Sequence, residues 1–363
     1  MITEHSFKII DALIKQGRSF VLWRIPGEDY IHFGMQTAGT PDLLYDIQDL
    51  NGVRGFVFSP FHISVEHPIV VIRPDCFDLP DDILECPQEM IEVVTHDVPP
   101  FLTEEEEKRK YQYSFFQFCD PLLKGVQDKL VLSRSKTIRR KAELSPSKSF
   151  FKACNRYLYS YVYLLHTPQT GTWMGSTPEI LLAREGNTWQ TVALAGTQRL
   201  VDGELPSKWN RKNSEEQQLV ASYIRHQLNS LNIHPEEKGP YSVRAGDLSH
   251  LKSVFKFAMQ DTHMLGDILN LLHPTPAVCG LPKEDAFHFV LENEGYDRSY
   301  YSGFVGWLSP TGQTDIYVNL RCVNIHSDSY TLFAGGGLLP SSELEEEWNE
   351  TEDKMKTMQN ILE

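Results

Sequence analysis

The chain has 363 residues, 41% of them hydrophobic, enough for a sizeable core in one large or two ordinary domains. Its net charge of −15 at pH 7 argues against nucleic acid or an anionic membrane as a partner, because either would need a concentrated basic face. Six cysteines scattered without CxxC spacing (Cys76, Cys86, Cys119, Cys154, Cys279, Cys322) suit reduced thiols better than a zinc site or a disulfide framework. The charged stretch Met1 to Lys8 leads into no long apolar run, so no signal peptide or membrane span is expected and the expected compartment is the cytoplasm.

Short apolar runs at Ser19–Trp23, Gly55–Phe58 and Ile69–Ile72, separated by Pro and Gly turn signals, predict strands of a sheet. Asp75–Pro100 is rich in Pro and Asp and reads as an internal seam. A helix is expected from Thr103, with Glu106 completing a capping box. Lys129–Ser133 predicts another strand. Trp173–Arg184 and Thr188–Ala195 read as two strands joined by a hairpin at Glu185, Gly186 and Asn187. From about Ser214, Leu219, Val220, Tyr223, Ile224, Leu228 and Leu231 recur at helical spacing. Glu216 shares their face, which either turns a first-turn carboxylate toward the interior or makes it a simple partner of the helix N-terminal dipole. Tyr317–Val323 alternates as a strand, with Arg321 opposite Val318, Leu320 and Cys322, and Tyr330–Ala334 returns. Neither an internal repeat nor a low-complexity tract is present.

The C-terminal region sets Gly335, Gly336 and Gly337 before an acidic helix containing Glu347 and Glu350. A glycine run lets backbone N–H groups approach an anion, whereas a carboxylate-rich helix repels it. A divalent cation between them would reconcile the two, and a solvated acidic face is the plainer alternative. Lys354 follows Glu350 by one turn on the same face, and the stripe continues as Met358, Ile361 and Leu362.

Other candidates for chemistry lie far apart in the chain. Lys129 precedes an apolar strand, where partial desolvation would favour the neutral amine a general base needs; an ordinary solvated lysine beside a strand is the plainer alternative. Glu179 follows Pro178 and opens the apolar Ile180, Leu181, Leu182 run, so it marks either a polar entry to a buried strand or an exposed turn. Leu194–Thr197 ends its strand in small residues and a hydroxyl, suited to close ligand contact or to a tight turn. Among thirteen histidines, His250 and His273 stand near apolar segments, with no spacing typical of a metal-binding pair. There is no P-loop and no dinucleotide fingerprint, so ATP and NAD are not indicated.

Taken in order, Lys129–Arg134, Gly175–Glu179, Leu194–Thr197, Glu215–Val220, Leu272–Val278, Tyr301–Gly303, Asn319–Arg321, Ala334–Gly337 and Glu347–Thr351 resemble the chorismate-utilising enzymes, and among them isochorismate synthases most closely. The resemblance covers about residues 110–363. Residues 1–100 correspond only by position, as a more variable N-terminal part of a single domain. It implies an α+β fold of two facing sheets with helices outside and the active site between the sheets. The implied reaction is Mg²⁺-dependent isomerisation of chorismate to isochorismate: Lys129 activates water for addition at C2, and Glu179 protonates the departing C4 hydroxyl. It implies Mg²⁺ held by Glu216 and Glu350 with Glu347 close by, in keeping with the preference of that ion for carboxylates and water. Gly196, Thr197, His250, Tyr301, Arg321, Gly335, Gly337 and Lys354 match positions that contact substrate. His273 belongs to the family's loop and receives no catalytic role.

Two positions depart from the family pattern. Cys279 and Gly280 stand where many isochorismate synthases have two glycines, and Asn213 stands where several relatives carry a carboxylate. A salicylate synthase, which adds pyruvate elimination, and a non-catalytic chorismate-binding subunit are the alternatives. Anthranilate synthases lack lysine at the base position, and aminodeoxychorismate synthases tend to carry one where Ala195 stands. No glutaminase domain is present and no glutaminase partner is expected. The product would serve menaquinone or siderophore synthesis, which share this ring chemistry.

Overall fold

The computed structural model describes residues 3–85, 98–141, 143–200, 203–245, 248–259 and 261–362. The first part of the chain forms α1 (Glu4–Lys15), β1 (Phe20–Arg24), β2 (His32–Met35), β3 (Asp42–Leu44), β4 (Gly55–Ser59), β5 (Ile69–Ile72) and α2 (Glu104–Leu123). There follow β6 (Lys129–Arg139), α3 (Pro146–Arg156), β7 (Tyr161–Thr167), β8 (Gly171–Thr177), β9 (Ile180–Glu185), β10 (Thr188–Arg199), α4 (Arg211–Ser230), β11 (Glu236–Ala245) and β12 (Leu248–Phe257). The last part forms α5 (Leu265–Leu272), β13 (Gly280–Leu281), α6 (Lys283–Asn293), β14 (Phe304–Leu308), β15 (Thr314–Val318), β16 (Cys322–Ile325), β17 (Ser329–Leu338) and α7 (Leu344–Leu362). The expected seam at Asp75–Pro100 falls partly outside the described residues.

Local signals explain several boundaries. Thr103 caps α2: its hydroxyl accepts from the Glu106 N–H, and the Glu106 carboxylate accepts from the Thr103 N–H, so two otherwise orphan donors are used. α4 begins at Arg211, three residues earlier than expected, because Asn210 is its cap and accepts from the Asn213 N–H at 2.8 Å. The β9–β10 turn places Gly186 at φ +61°, a left-handed conformation that glycine adopts without penalty.

The strands make two sheets. One is ordered β13-β6-β17-β16-β8-β7-β1-β2 and the other β11-β12-β10-β9-β15-β14-β4-β5-β3. The N-terminal strands therefore enter both sheets. Between them lies an aromatic core that includes Trp23, Phe56, Phe58, Tyr163, Trp173, Tyr300 and Phe333. Phe58 stacks on Tyr300 with centroids 4.4 Å apart, and Trp173 on Phe333 at 5.5 Å. Helices cover the outer faces: α1, α3 and α7 on the first sheet, α4 and α5 on the second. Each fully buried large apolar side chain contributes about 1.5–3 kcal/mol of transfer free energy to this arrangement.

Two expected strands are each divided between the sheets. Trp173–Arg184 is not continuous: β8 belongs to the first sheet and β9 to the second. Pro178, lacking an N–H, interrupts the ladder between them. Tyr317–Val323 divides likewise into β15 and β16, with Arg321 at φ +48° turning the chain. The two crossings are tied together, since Thr177 Oγ1 donates to Val318 O (2.7 Å), the Val318 N–H to Glu179 O (2.9 Å), and the Ser176 N–H to Arg321 O (3.1 Å). Glu179 and Arg321 are thereby placed where the chain passes between the sheets.

Candidate active site

The glycine run is not a loop. Gly335, Gly336 and Gly337 continue β17, paired in register with Ser133, Leu132 and Val131 of β6. In a strand alternate residues face opposite sides. Gly335 and Gly337 leave bare the face shared with Phe333: a Cβ on Gly335 would come within 3.0 Å of Tyr301 Oη, and one on Gly337 within 2.1 Å of Glu216 Oε1 and 2.8 Å of Lys129 Cε. Gly336 bares the other face, where a Cβ would lie 2.9 Å from Glu347 Oε2 and 3.5 Å from Glu350 Oε1. Three consecutive glycines thus open the sheet on both sides. Carboxylates from α4 and α7 reach the opening from opposite directions.

Beside this opening is a small, largely enclosed cavity between the sheets. Its walls include Glu179, Gly196, Thr197, Glu216, His250, Tyr301, Arg321, Gly335, Gly337 and Lys354, so all of these sequence-predicted residues meet. Lys129 adjoins them, with its Nζ 3.0 Å from Glu216 Oε1 and no exposed surface. That contact lacks hydrogen-bond geometry, and Nζ has no hydrogen-bond partner in the protein. Glu347 and Glu350 line the opposite side of the glycine opening, and Glu347 is only 1% exposed. The solvated-face alternative for this helix does not hold.

Electrostatics divide the carboxylates. Burial pushes the Glu179 carboxyl up to about 8, against the opposing effects of Lys129 and of the Thr275 hydroxyl, which donates at 3.3 Å. It is therefore largely protonated at neutral pH, although Lys129, Lys354 and Arg321 all act to lower it. Burial raises Glu350 too, but Lys354 and Lys212 more than offset this and hold it ionised. Glu347 is raised by burial against the Lys212 ammonium, 2.5 Å away. Each of Glu216, Glu347 and Glu350 has a lysine partner: Lys129, Lys212 and Lys354 respectively. Among the described residues Arg321 makes no ion pair with a carboxylate, which leaves its guanidinium for an anionic ligand.

His250 shows why that guanidinium is held in place. Burial, and then Arg321, push the imidazole down to about 3, so it is neutral. Its Nδ1 lies 3.0 Å from Gly196 O and donates to it; Nε2 accepts from Arg321 Nη2 at 2.9 Å. Lys354 donates to Gly335 O (2.7 Å) and to Glu350 (2.6 Å), bridging β17 and α7. His273 lies outside the cavity, buried with its ring against Phe304. Cys279 packs into the apolar cluster with Phe118, Ala286 and Val290, so its departure from glycine does not alter the cavity wall.

The residues fit a divalent cation in part. Glu347 Oε2 is a buried carboxylate oxygen without a hydrogen-bond partner, adjacent to the bare Gly336. With the lysines in place, no group of three or more His, Cys, Asp or Glu side chains among the described residues converges as a ready-made metal site.

Comparison with known proteins places this geometry in a family. The family model for "Chorismate binding enzyme" matches residues 85–363. The chain belongs to the chorismate-binding enzymes. Isochorismate synthase EntC of Escherichia coli (strain K12) is 30% identical over 244 residues, covering 65% of this chain and 62% of EntC. Isochorismate synthase DhbC of Bacillus subtilis (strain 168) is 27% identical over 282 residues, 73% of this chain and 69% of DhbC. With EntC the matched region thus spans about three fifths of the relative. The fold of the chorismate-binding enzymes extends further: a DhbC structure from Bacillus anthracis superposes with a TM-score of 0.77 over 96% of this chain and 98% of its own, at 22% identity. MenF from Escherichia coli gives 0.75, at 20% identity over 98% of this chain and 91% of MenF. Together with the two sheets and outer helices, this establishes the α+β architecture.

Three residues of this chorismate-binding enzyme, Thr275, Lys212 and Gln217, had no functional place in the sequence reading, and Asn213 stood there only as a departure from the family pattern. Thr275 bonds Glu179, and Lys212 pairs with Glu347. Asn213 and Gln217 clamp the bulge in β10, where register shifts between Ala195 and Thr197. Asn213 accepts from the Thr197 N–H (3.2 Å) and donates to Thr197 O (3.1 Å); Gln217 accepts from the Ala195 N–H (2.9 Å). Gly196 takes φ +73°, and a Cβ added there would lie 2.9 Å from Asn213 O, so a side chain does not fit. Asn213 is therefore a backbone clamp, and its amide does what a carboxylate could not, donating and accepting at once. The helical spacing from Glu216 could have drawn attention to Lys212, four residues earlier; nothing local pointed to the Thr275 contact.

Proposed function

We propose that this protein converts chorismate to isochorismate, with Lys129 as the base and Glu179 as the acid. One observation carries the reading: a buried carboxyl that is mostly protonated at neutral pH lines the same cavity as Glu216, the partner of a fully buried lysine. A carboxylic acid that keeps its proton can deliver it to a departing hydroxyl. The Nζ of Lys129, without a hydrogen-bond partner in the protein, is free to bond a water, and as the neutral amine it takes that water's proton. Loss of the C4 hydroxyl as water, with addition of another water oxygen at C2, leaves the overall composition unchanged and returns both groups to their starting protonation after proton exchange.

Arg321 supplies a cation for a substrate carboxylate, kept aimed by neutral His250. Tyr301, stacked on Phe333 at 5.4 Å, brings its hydroxyl to the bare face of Gly335, and Gly196 and Thr197 form a close wall opposite. Mg²⁺ would be held by Glu216 and Glu350 with Glu347 beside them, and bound there it would neutralise these carboxylates toward an anionic substrate. The resemblance of the relatives named isochorismate synthase supports the same reading. We further place the protein in the cytoplasm, with no membrane, nucleic-acid or glutaminase partner; among the described residues no helix is long and apolar enough to cross a membrane.

Chromatographic identification of the product from chorismate and Mg²⁺, without ammonia, tests the proposal. Isochorismate is expected. Salicylate with pyruvate would mean that elimination follows, and unchanged chorismate would overturn the activity.

A further inference from the structure

Lys212 has no part in the reaction above, yet it penetrates the acidic cluster. It precedes Glu216 by four residues in α4, so both side chains leave one helix face. Its side chain is 16% exposed, and its ammonium meets Glu347 Oε1 at 2.5 Å. Glu347 uses only that oxygen. Oε2 is buried with no hydrogen-bond partner, and it lies beside Gly336, close to Glu350. A buried carboxylate oxygen left unmatched is costly unless another ligand takes it.

Lys212 also lies at a boundary. Glu216 lines the inner cavity, whereas Lys212 lines an outer, more open cavity whose wall carries Asp128 and Glu215. An ammonium on a flexible four-carbon stem is readily rehydrated, and this outer space offers it water and carboxylates.

We propose that Lys212 is an exchangeable counter-cation of the acidic cluster: its ammonium neutralises Glu347 in the metal-free protein and withdraws into the outer cavity when a divalent cation takes that carboxylate. The inference rests on the reading that Glu216, Glu347 and Glu350 serve a metal. Its physical basis is competition. A unit positive charge at hydrogen-bond distance from Glu347 opposes a second cation at the same carboxylate, so the two exclude one another or the second binds weakly.

Calorimetric titration of the metal-free full-length chain with Mg²⁺ tests this on wild type, Lys212→Gln and Lys212→Arg, with melting curves before and after metal. Removing the charge in Lys212→Gln is expected to tighten Mg²⁺ binding about tenfold. The metal-free Lys212→Gln protein is expected to melt about 2–4 °C lower, and Mg²⁺ to restore the difference. Lys212→Arg, which keeps the charge, should stay near wild type in both and guards against a folding defect. Unchanged or weaker Mg²⁺ binding in Lys212→Gln, with wild-type Mg²⁺ binding intact, overturns the role of Lys212 alone. Absence of Mg²⁺ binding in wild type overturns the metal reading and this inference together, whatever the product assay gives.

Discussion

Between the two sheets, the region around Phe58, Trp173 and Tyr300 is filled with stacked rings, whereas the region around Lys129, Glu179 and Arg321 is hollow and charged. The same strand passes through both. In β17, Phe333 closes the aromatic side by stacking on Trp173 and Tyr301; two and four residues on, Gly335 and Gly337 share its face and offer nothing to fill the space. Cavity and core thus differ chiefly in side-chain volume on one strand face. The charges are tolerated in the hollow half because each buried carboxylate has a lysine, a hydroxyl or its own proton for compensation.

Filling the hollow half should have the largest effect. In Gly337→Ala the new methyl would lie 2.1 Å from Glu216 Oε1 and 2.8 Å from Lys129 Cε, so both must move. Turnover of chorismate is expected to fall by more than the roughly 10²–10⁴-fold that loss of one acid or base costs. Near-wild-type turnover, measured with circular dichroism to verify folding, would mean that the glycine opening is incidental.

Removing the acid without changing its shape comes next. Glu179→Gln is expected to lower kcat by about 10²–10⁴-fold. Because the wild-type carboxyl is raised to about 8, wild-type activity should fall as pH rises through about 8, and the variant's residual rate should lack this limb. The same shift has a stability sign. Between the ordinary carboxyl value of 4.5 and about 8 the unfolded chain has lost a proton that the folded protein keeps, so folding stability declines with rising pH across that window. Denaturant titrations should show a shallower decline in Glu179→Gln; equal slopes would remove Glu179 as the buried neutral acid.

The smallest catalytic effect is expected from the filled half. Trp173 is fully buried, and Trp173→Ala should cost about 3–5 kcal/mol of stability. Turnover per folded molecule should change little, since Trp173 does not line the cavity. A kcat loss as large as that of Glu179→Gln would show that the two halves are not separable.

Much of this was legible in the sequence because it depends on short-range rules. The α2 capping box, the strand at Ile69–Ile72 and the inward face of Glu216 follow from hydrogen-bonding needs and periodicity, and the structure has all three. The ordered motifs identified the residues around the cavity because each is locally distinctive. Continuous apolar runs were less informative. Trp173–Arg184 and Tyr317–Val323 carry strand-forming residues on both sides of their breaks, and which sheet each half joins depends on partners far away in sequence. The start of α4 was misplaced for a smaller reason: Asn210 and Asn213 are both plausible capping residues, and only the hydrogen bond distinguishes them.

The sequence by itself determined the element types, the apolar continuation of the last helix through Met358, Ile361 and Leu362, and the set of residues that resemble a chorismate-utilising enzyme; that the acidic start of that helix is buried was decided by the structure. Only the tertiary structure decided that the glycine run is a gap in a sheet, that Asn213 clamps a bulge, and that Lys129, Lys212 and Lys354 answer three separate glutamates. Periodicity and capping act within a few residues and can be read from spacing. Ion pairing, burial of a proton on Glu179 and the volume left by a missing side chain depend on what the opposite sheet and the outer helices bring into contact.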